Sequence, residues 1–500
     1  MAKRALGIGL IVGLAASGFT GCGEKSTRPA TQVGTGVLFS MIGDAPACDI
    51  LSFRANVTKM TLTPQGSTVE IGVIVSTPSF APSIKVDFAA LRDASTVLNF
   101  ANIPEGTYDA VTITLTAPQL VVYDPTQDPP IKAVATTLTN ASAKISFSPP
   151  LVLTKGKVSA LKLDFDLLRS VELDLQNQVT GKVTPVFQAK PLPLSATNGF
   201  GVLEGLVGFV QRVDTFSSNP TFIGDFQMQL LSGTGPSLLV NLQPSPKTQV
   251  FGFTGLNLLP TGSFAEVDGF VDGNANFVAE TIEIEDREVV ELNKVAFIGT
   301  VTSAAYDGNG NVTNFNLYVR DTEPSAGFNV LPDVVVPVSV SSSTVFQYSS
   351  RSANFASLVF DPTALSVGQE VVVHGTFTVP PAPPPPTPKP PPSVSAEKVY
   401  LKINNILGNF SAPVQAGSDD KTGAFQFAPC GTIFQGKNIW VLTNIQTEFV
   451  NVPGLAELTA QPKLLVKGLP FFELNGGTIN GVQVPPGTLV MLATEVHQLL

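Results

Sequence analysis

Ile103-Pro104-Glu105-Gly106-Thr107-Tyr108-Asp109-Ala110-Val111-Thr112-Ile113-Thr114-Leu115 reads as a Pro/Gly turn that feeds a strand. Val111, Ile113 and Leu115 alternate with threonines, and a period of two puts the apolar residues on one face of a sheet. Upstream, VLFSMIGDAPACDILSFRANVTKMTLTP from Val37 gives two strand-like segments around Gly43-Asp44-Ala45-Pro46. Within it VTKMTLTP reads as a strictly alternating strand, with Val57, Met60 and Leu62 apolar among polar neighbours.

The rest of the chain has the same texture. Of its 500 residues 43% are hydrophobic and only 14% charged, with 43 Gly and 41 Pro. β-Branched residues suit a pleated surface and Gly and Pro punctuate it, so the class is all-β. The length exceeds what one core organises, so several domains are expected. The net charge of −10 would repel a phosphate backbone, which argues against nucleic acid.

The N-terminus carries an address. Lys3 and Arg4 precede the uncharged apolar run Ala5 to Gly18, which is of signal-peptide length and too short to span a bilayer, a task that needs about 20 residues. The run ends in Phe19-Thr20-Gly21-Cys22, which resembles the lipobox of bacterial lipoprotein precursors, with Phe19 in place of the usual leucine. The resemblance implies cleavage after residue 21 and acyl chains on Cys22. The other reading is an ordinary secretory signal cut near a cysteine. Residues 22–36 form a polar tether, and the expected location is the cell envelope, outside the cytoplasm. Gly23 lacks the aspartate of the enterobacterial retention rule, which favours an outer membrane, on its periplasmic or surface face.

Residues 37–190 read as one sandwich-sized unit. The P-x-G-x-Y entry at Pro104 to Tyr108 is common in prealbumin-like sandwiches. DAP near the start, IPEGTYDAVTITL in the middle, and LKLDFDLLRSVELD followed by VTPVFQAK at the end occur in that order. Together they resemble an uncharacterised domain, one of the domain-of-unknown-function families, found at the N-terminus of bacterial lipoproteins. The resemblance implies a prealbumin- or Ig-like sandwich and an envelope address. It supplies no catalytic residue.

After a linker at 191–204, three segments overlay. They start at Leu206-Val207-Gly208-Phe209-Val210, Phe297-Ile298-Gly299-Thr300-Val301 and Ile406-Leu407-Gly408-Asn409-Phe410. Each continues through TQVFGF, STVFQY or QTEFVN, then AEVDGFV, EVVVHGTF or LLVKGLPF. The period suits tandem domains rather than a solenoid. Repeats are expected at 205–292, 295–405 and, more divergent, 406–500. They resemble a second uncharacterised family of envelope proteins, which implies small barrel-like, OB-like units. The proline run at 379–392 looks like a linker, yet it falls where the first repeat has the hairpin turn Asp272 to Asn276. It is read as a hairpin insertion, with a true linker as the alternative.

Chemistry is scarce. Two histidines, His374 and His497, sit in different repeats, and no hydrolase, metalloprotease or phosphate-loop motif is present. Asp307-Gly308-Asn309-Gly310-Asn311 touches on a calcium loop, but Val312 and Tyr318 stand where that loop needs glycine and glutamate, so a hairpin turn explains it better. Glu280, Glu283, Glu285, Asp286, Glu288 and Glu291 read as a solvated strand edge, and Asp164 with Asp166 as the wet face of a strand. Cys48 and Cys430 could pair in an oxidising compartment, although two unpaired buried cysteines is the plainer reading. No catalytic, metal or cofactor residue is assigned, and Cys22 is the one site residue, for lipid attachment.

The expected function is a membrane-anchored, non-catalytic structural or adhesive array. The alternative is a ligand-binding lipoprotein for a glycan or an envelope partner. Expected partners are the membrane through the anchor and an envelope protein or polysaccharide, with no nucleic acid.

Overall fold

The computed structural model describes residues 34–499 except 46–47, 76–82, 92–94, 175–177, 193–199, 216–218, 231–236, 252–258, 260, 287–293, 323–333, 349–357, 382–390, 418 and 459–462. Cys22 and the signal-like residues 1–21 lie outside the described residues. The described residues are nearly all-β, at 66% strand and 3% helix.

The N-terminal unit is a sandwich. β1 (Thr35–Ala45) pairs with β5 (Ser95–Pro104) and, in parallel, with β10 (Val158–Asp166), which carries β13 (Phe187–Leu192). The facing sheet centres on β2 (Ile50–Pro64) and β6 (Gly106–Tyr123), with Ile71–Val75 and Ile84–Asp87 on β2 and Ile131–Val134 and Ser142–Leu153 on β6. β1 and β2 therefore belong to different sheets and do not form a hairpin, and Gly43, Asp44 and Ala45 continue β1. The spacing of three between Val57 and Met60 has a cause: a register shift between Val57 and Lys59 admits one extra residue, so both side chains still reach the core. Tyr108 of the P-x-G-x-Y turn is buried and donates to the Pro104 carbonyl at 2.7 Å, tying the turn to the strand it starts.

The run Leu38-Phe39-Ser40-Met41-Ile42 does not alternate, because β1 is covered on both faces. Leu38 and Ile42 enter the sandwich core, while Phe39 and Met41, with Val97 and Ala160, pack among Phe200, Leu203 and the rest of the next unit's core.

Each of the three following units repeats one topology. The first uses β14 (Phe200–Asp214), β15 (Gly224–Leu230), β16 (Leu238–Leu242), β17 (Gln249–Phe251), β18 (Phe264–Val271) and β19 (Phe277–Asp286). β14 lies between β15 and β18, β16 follows β15, β19 follows β18, and β16 closes on β19 in parallel. The second set is Lys294–Tyr306, Val312–Thr322, Val334–Ser339, Val345–Tyr348, Glu370–Thr378 and Ser393–Leu401. The third is Asn404–Ala416, Gly423–Pro429, Ile439–Thr443, Glu448–Val450, Lys463–Glu473 and Thr488–Gln498. Both make the same pairings, including the parallel closure. This is a five-stranded barrel of the OB kind.

The recurring glycines explain the closure. A Cβ on Gly269, Gly375 or Gly468 would stand 2.1–2.2 Å from the carbonyl of Val278, Ser395 or Leu492. A register shift falls at each of these glycines. Only a residue without Cβ lets the backbones approach closely enough for the bulge that bends a sheet into a barrel. A buried threonine marks the fourth strand of each set: Thr248, Thr344 and Thr447 donate to the carbonyls of Ala279, Ala396 and Ala493 at 2.7, 2.7 and 3.0 Å. The threonine is thus the shared residue of TQVF, TVFQ and TEFV, one position away from the overlay of the phenylalanines. Thr378 faces Ser393 across the ladder, so the strands that flank the proline run pair directly, although residues 382–390 of the run lie outside the described residues.

Candidate functional site

The units meet through buried polar contacts. Arg54 on β2 is 4% exposed; it donates to Asp87 at 3.2 Å and to the backbone carbonyl of Arg320 in the second barrel. Asp87 also accepts from the Ser52 hydroxyl at 2.7 Å and the Phe53 amide at 3.1 Å, so its carboxylate is satisfied inside the sandwich. Between the first and second barrels, the Tyr400 hydroxyl donates to Glu283 at 3.0 Å and the Lys402 ammonium to Glu266 at 3.1 Å. The acidic stretch is therefore not one solvated edge. Glu283 is 1% exposed and faces a neighbouring barrel, while Glu288 and Glu291 lie outside the described residues. Gln369 of the second barrel is fully buried and donates to Pro470 of the third at 2.8 Å.

The first and last units are also joined covalently. Cys48 and Cys430 form a disulfide with Cα atoms 5.3 Å apart, which overturns the reading of two unpaired cysteines. Distance along the sequence gave no hint of it, because both residues lie on turns that only the packing brings together. Beside the bond, the Asp49 carboxylate accepts from the Thr432 amide at 2.6 Å, the Ile433 amide at 3.1 Å and the Thr432 hydroxyl at 3.2 Å. Burial pushes the Asp49 pKa up, and these hydrogen bonds only partly offset it. Tyr123 is likewise pushed up, first by burial and then by the Asp49 charge.

This clamp fixes the segment 430–437 of the third barrel, whose amides of Gln435 and Lys437 close turns onto the Thr432 and Phe434 carbonyls. The Phe434 ring packs on Gly368 of the second barrel, where a Cβ would stand 2.4 Å from it. Between this segment, the loop 124–130 of the sandwich and the second barrel lies a cleft of about 650 Å³. Ile433, Phe434, Phe472 and Leu489 supply apolar surface, and Tyr123 and Tyr306 supply aromatic walls. The buried end of Tyr306 donates to the Leu365 carbonyl at 3.0 Å and its pKa is pushed up by burial, while 46% of the residue stays open. A second cleft of about 610 Å³ shares Tyr123 and Pro125 and reaches the disulfide from the other side.

The residues weighed in the sequence sit elsewhere. His374 and His497 occupy strands of different barrels, and the His497 Nε2 is 3.0 Å from the Asn451 amide nitrogen. Asp307 accepts from the amides of Asn309 and Asn311 and from the Asn311 side chain at 2.8–3.0 Å, and Asp272 repeats the arrangement with Asn274 and Asn276. These are hairpin turns whose carboxylates serve their own backbone. Asp166 caps a short helix through the Arg169 amide at 2.9 Å. Trp440 packs at the edge of the core shared by the last two barrels and does not line the cleft. Among the described residues, no three His, Cys, Asp or Glu side chains are grouped to hold a metal ion, and no helix is long and apolar enough to cross a membrane.

Comparison with known proteins settles one part. Residues 35–185 match the family model described as a domain of unknown function, DUF4382. The sandwich is the part of the chain that carries this match. The match ends before the barrels. No curated protein matches the chain. A crystal structure of the wild-type single-stranded DNA binding protein from Thermus aquaticus matches with 15% identity over 42% of this chain and 93% of that one, and at a TM-score of 0.15 the likeness carries no argument. The partner expectations are corrected accordingly. Nothing in the comparisons supports a membrane, an envelope protein or a polysaccharide as partner, and nothing in them supports the exclusion of nucleic acid.

Proposed function

We propose that this chain is an exported lipoprotein, acylated at Cys22 and retained in the cell envelope, that acts as a non-catalytic structural block. The observation that carries this reading is the Cys48–Cys430 disulfide, which bridges the first and last units. Disulfides persist in oxidising compartments outside the cytoplasm, in accord with the leader and the lipobox-like Phe19-Thr20-Gly21-Cys22. The cross-bracing by Arg54, Tyr400, Lys402 and Gln369 favours a stiff block over a string of independent spacers. Three barrels built alike, with the glycines and threonines above in common, accord with the second, tandem family that the sequence resembles.

Metabolic labelling with a clickable palmitate tests the acylation: the wild-type chain should take label and Cys22→Ser should not. Undiminished label on the variant would overturn it. Panels of ester, peptide, glycoside and phosphate substrates test the non-catalytic reading, which reproducible turnover by the purified protein would end.

A further inference from the structure

We propose that the cleft between the sandwich and the last two barrels is a binding site for a small apolar monocarboxylate. The inference stands apart from the structural role above, because it rests on the cleft lining alone. A volume of about 650 Å³ is within the usual range for small-molecule sites. At about 30 Å³ per heavy atom, the liquid share of a water molecule, it takes roughly 20 such atoms. Small-molecule sites are typically concave and lined by apolar and aromatic side chains with a few polar groups. Here Tyr306 is anchored at its hydroxyl and open along its ring, so it offers a preorganised wall at little entropic cost.

The charge of the ligand follows from Lys437. It is the cation of the lining, its ammonium lies 5.5 Å from the Phe472 ring centroid, and it has no carboxylate partner among the described residues. A positive charge held over an aromatic ring at the margin of an apolar cleft is complementary to one anionic head whose tail lies on Ile433, Phe434 and Leu489. Asp128, from the sandwich loop, stands in the same lining and would repel a second negative charge, as would the chain's net charge of −10. The site is assembled from three units, and the clamp at Asp49 and Cys430 holds Phe434 and Lys437 in place.

Isothermal titration calorimetry of the full chain with dodecanoate and with dodecyltrimethylammonium, each below its micelle concentration, tests this. Dodecanoate should saturate one site, the cation should bind at least tenfold more weakly, and Lys437→Gln should weaken dodecanoate by about tenfold or more, the size of a lost charge-assisted contact. Ser303→Trp, which places bulk in the cleft, should abolish saturation while leaving the thermal melt unchanged. Absence of saturable binding by dodecanoate, equal affinity for the two amphiphiles, or an unaltered affinity in both variants would overturn the proposal.

Discussion

Cys48 and Cys430 are separated by 382 positions in sequence and by 5.3 Å between their Cα atoms. The bond closes a loop that contains the rest of the sandwich, the first two barrels and the opening two strands of the third, so units far apart along the chain are neighbours in space. In the chain-entropy account a long closed loop restricts the unfolded state, and losing such a bond costs about 2–5 kcal/mol. The double variant Cys48→Ser/Cys430→Ser should melt earlier and expose the loop 124–130 and the segment 430–437 to protease. Identical cleavage kinetics for variant and wild type would show that the noncovalent contacts suffice.

Asp49 should give the interface a pH dependence. Its folded pKa is raised above the ordinary 3.8, so the native state holds the proton more tightly than the unfolded chain does. The ionised carboxylate therefore weakens the fold, and stability declines as pH rises from about 3.8 through the raised value. Asp49→Asn keeps an acceptor for the Thr432 amide and removes the titration. Its stability relative to wild type should be greatest near neutrality and shrink on acidification, measured as melting temperature against pH, and a difference independent of pH would count against the assignment.

The barrel glycines should be intolerant in a way that turn glycines are not. A Cβ on Gly299 would lie 1.9 Å from the Tyr318 carbonyl, whereas one on Gly308 meets nothing within 4 Å. Gly299→Ala should cost about 1–3 kcal/mol, as overpacked sites do, and Gly308→Ala should stay within about 0.5 kcal/mol in denaturant titrations.

Arg54→Met tests the buried bridge from sandwich to second barrel. The Arg54 and Asp87 side chains are 5% and 12% exposed, so removing the guanidinium strands a carboxylate away from water. A loss of about 3–5 kcal/mol is expected. Adding Asp87→Leu should restore part of it, because the second change removes the stranded charge. A double variant no better than the single one would place the effect in the lost contact to the Arg320 carbonyl.

Much of the fold was legible in the residues because strands announce themselves locally. Period two in Val111, Ile113 and Leu115, the turn at Pro104 to Tyr108, and the short segments that overlay in the repeats all act within a few residues of one another. The site was not legible. Tyr123, Tyr306, Phe434 and Lys437 lie in three units and share no motif, and aromatics in a chain with 33 phenylalanines read as core. Glu283 looked solvated because its neighbours in sequence are acidic, whereas its neighbour in space is Tyr400.

The sequence by itself determined the all-β class and the sandwich followed by barrel-like units, because each depends on side-chain alternation and on local turn residues. Only the tertiary structure decided that β1 is covered on both faces, that the last barrel returns to the first unit, and that Cys48 meets Cys430. Those outcomes depend on which apolar faces of whole units find each other, and faces built from residues hundreds of positions apart leave no periodic trace in the chain.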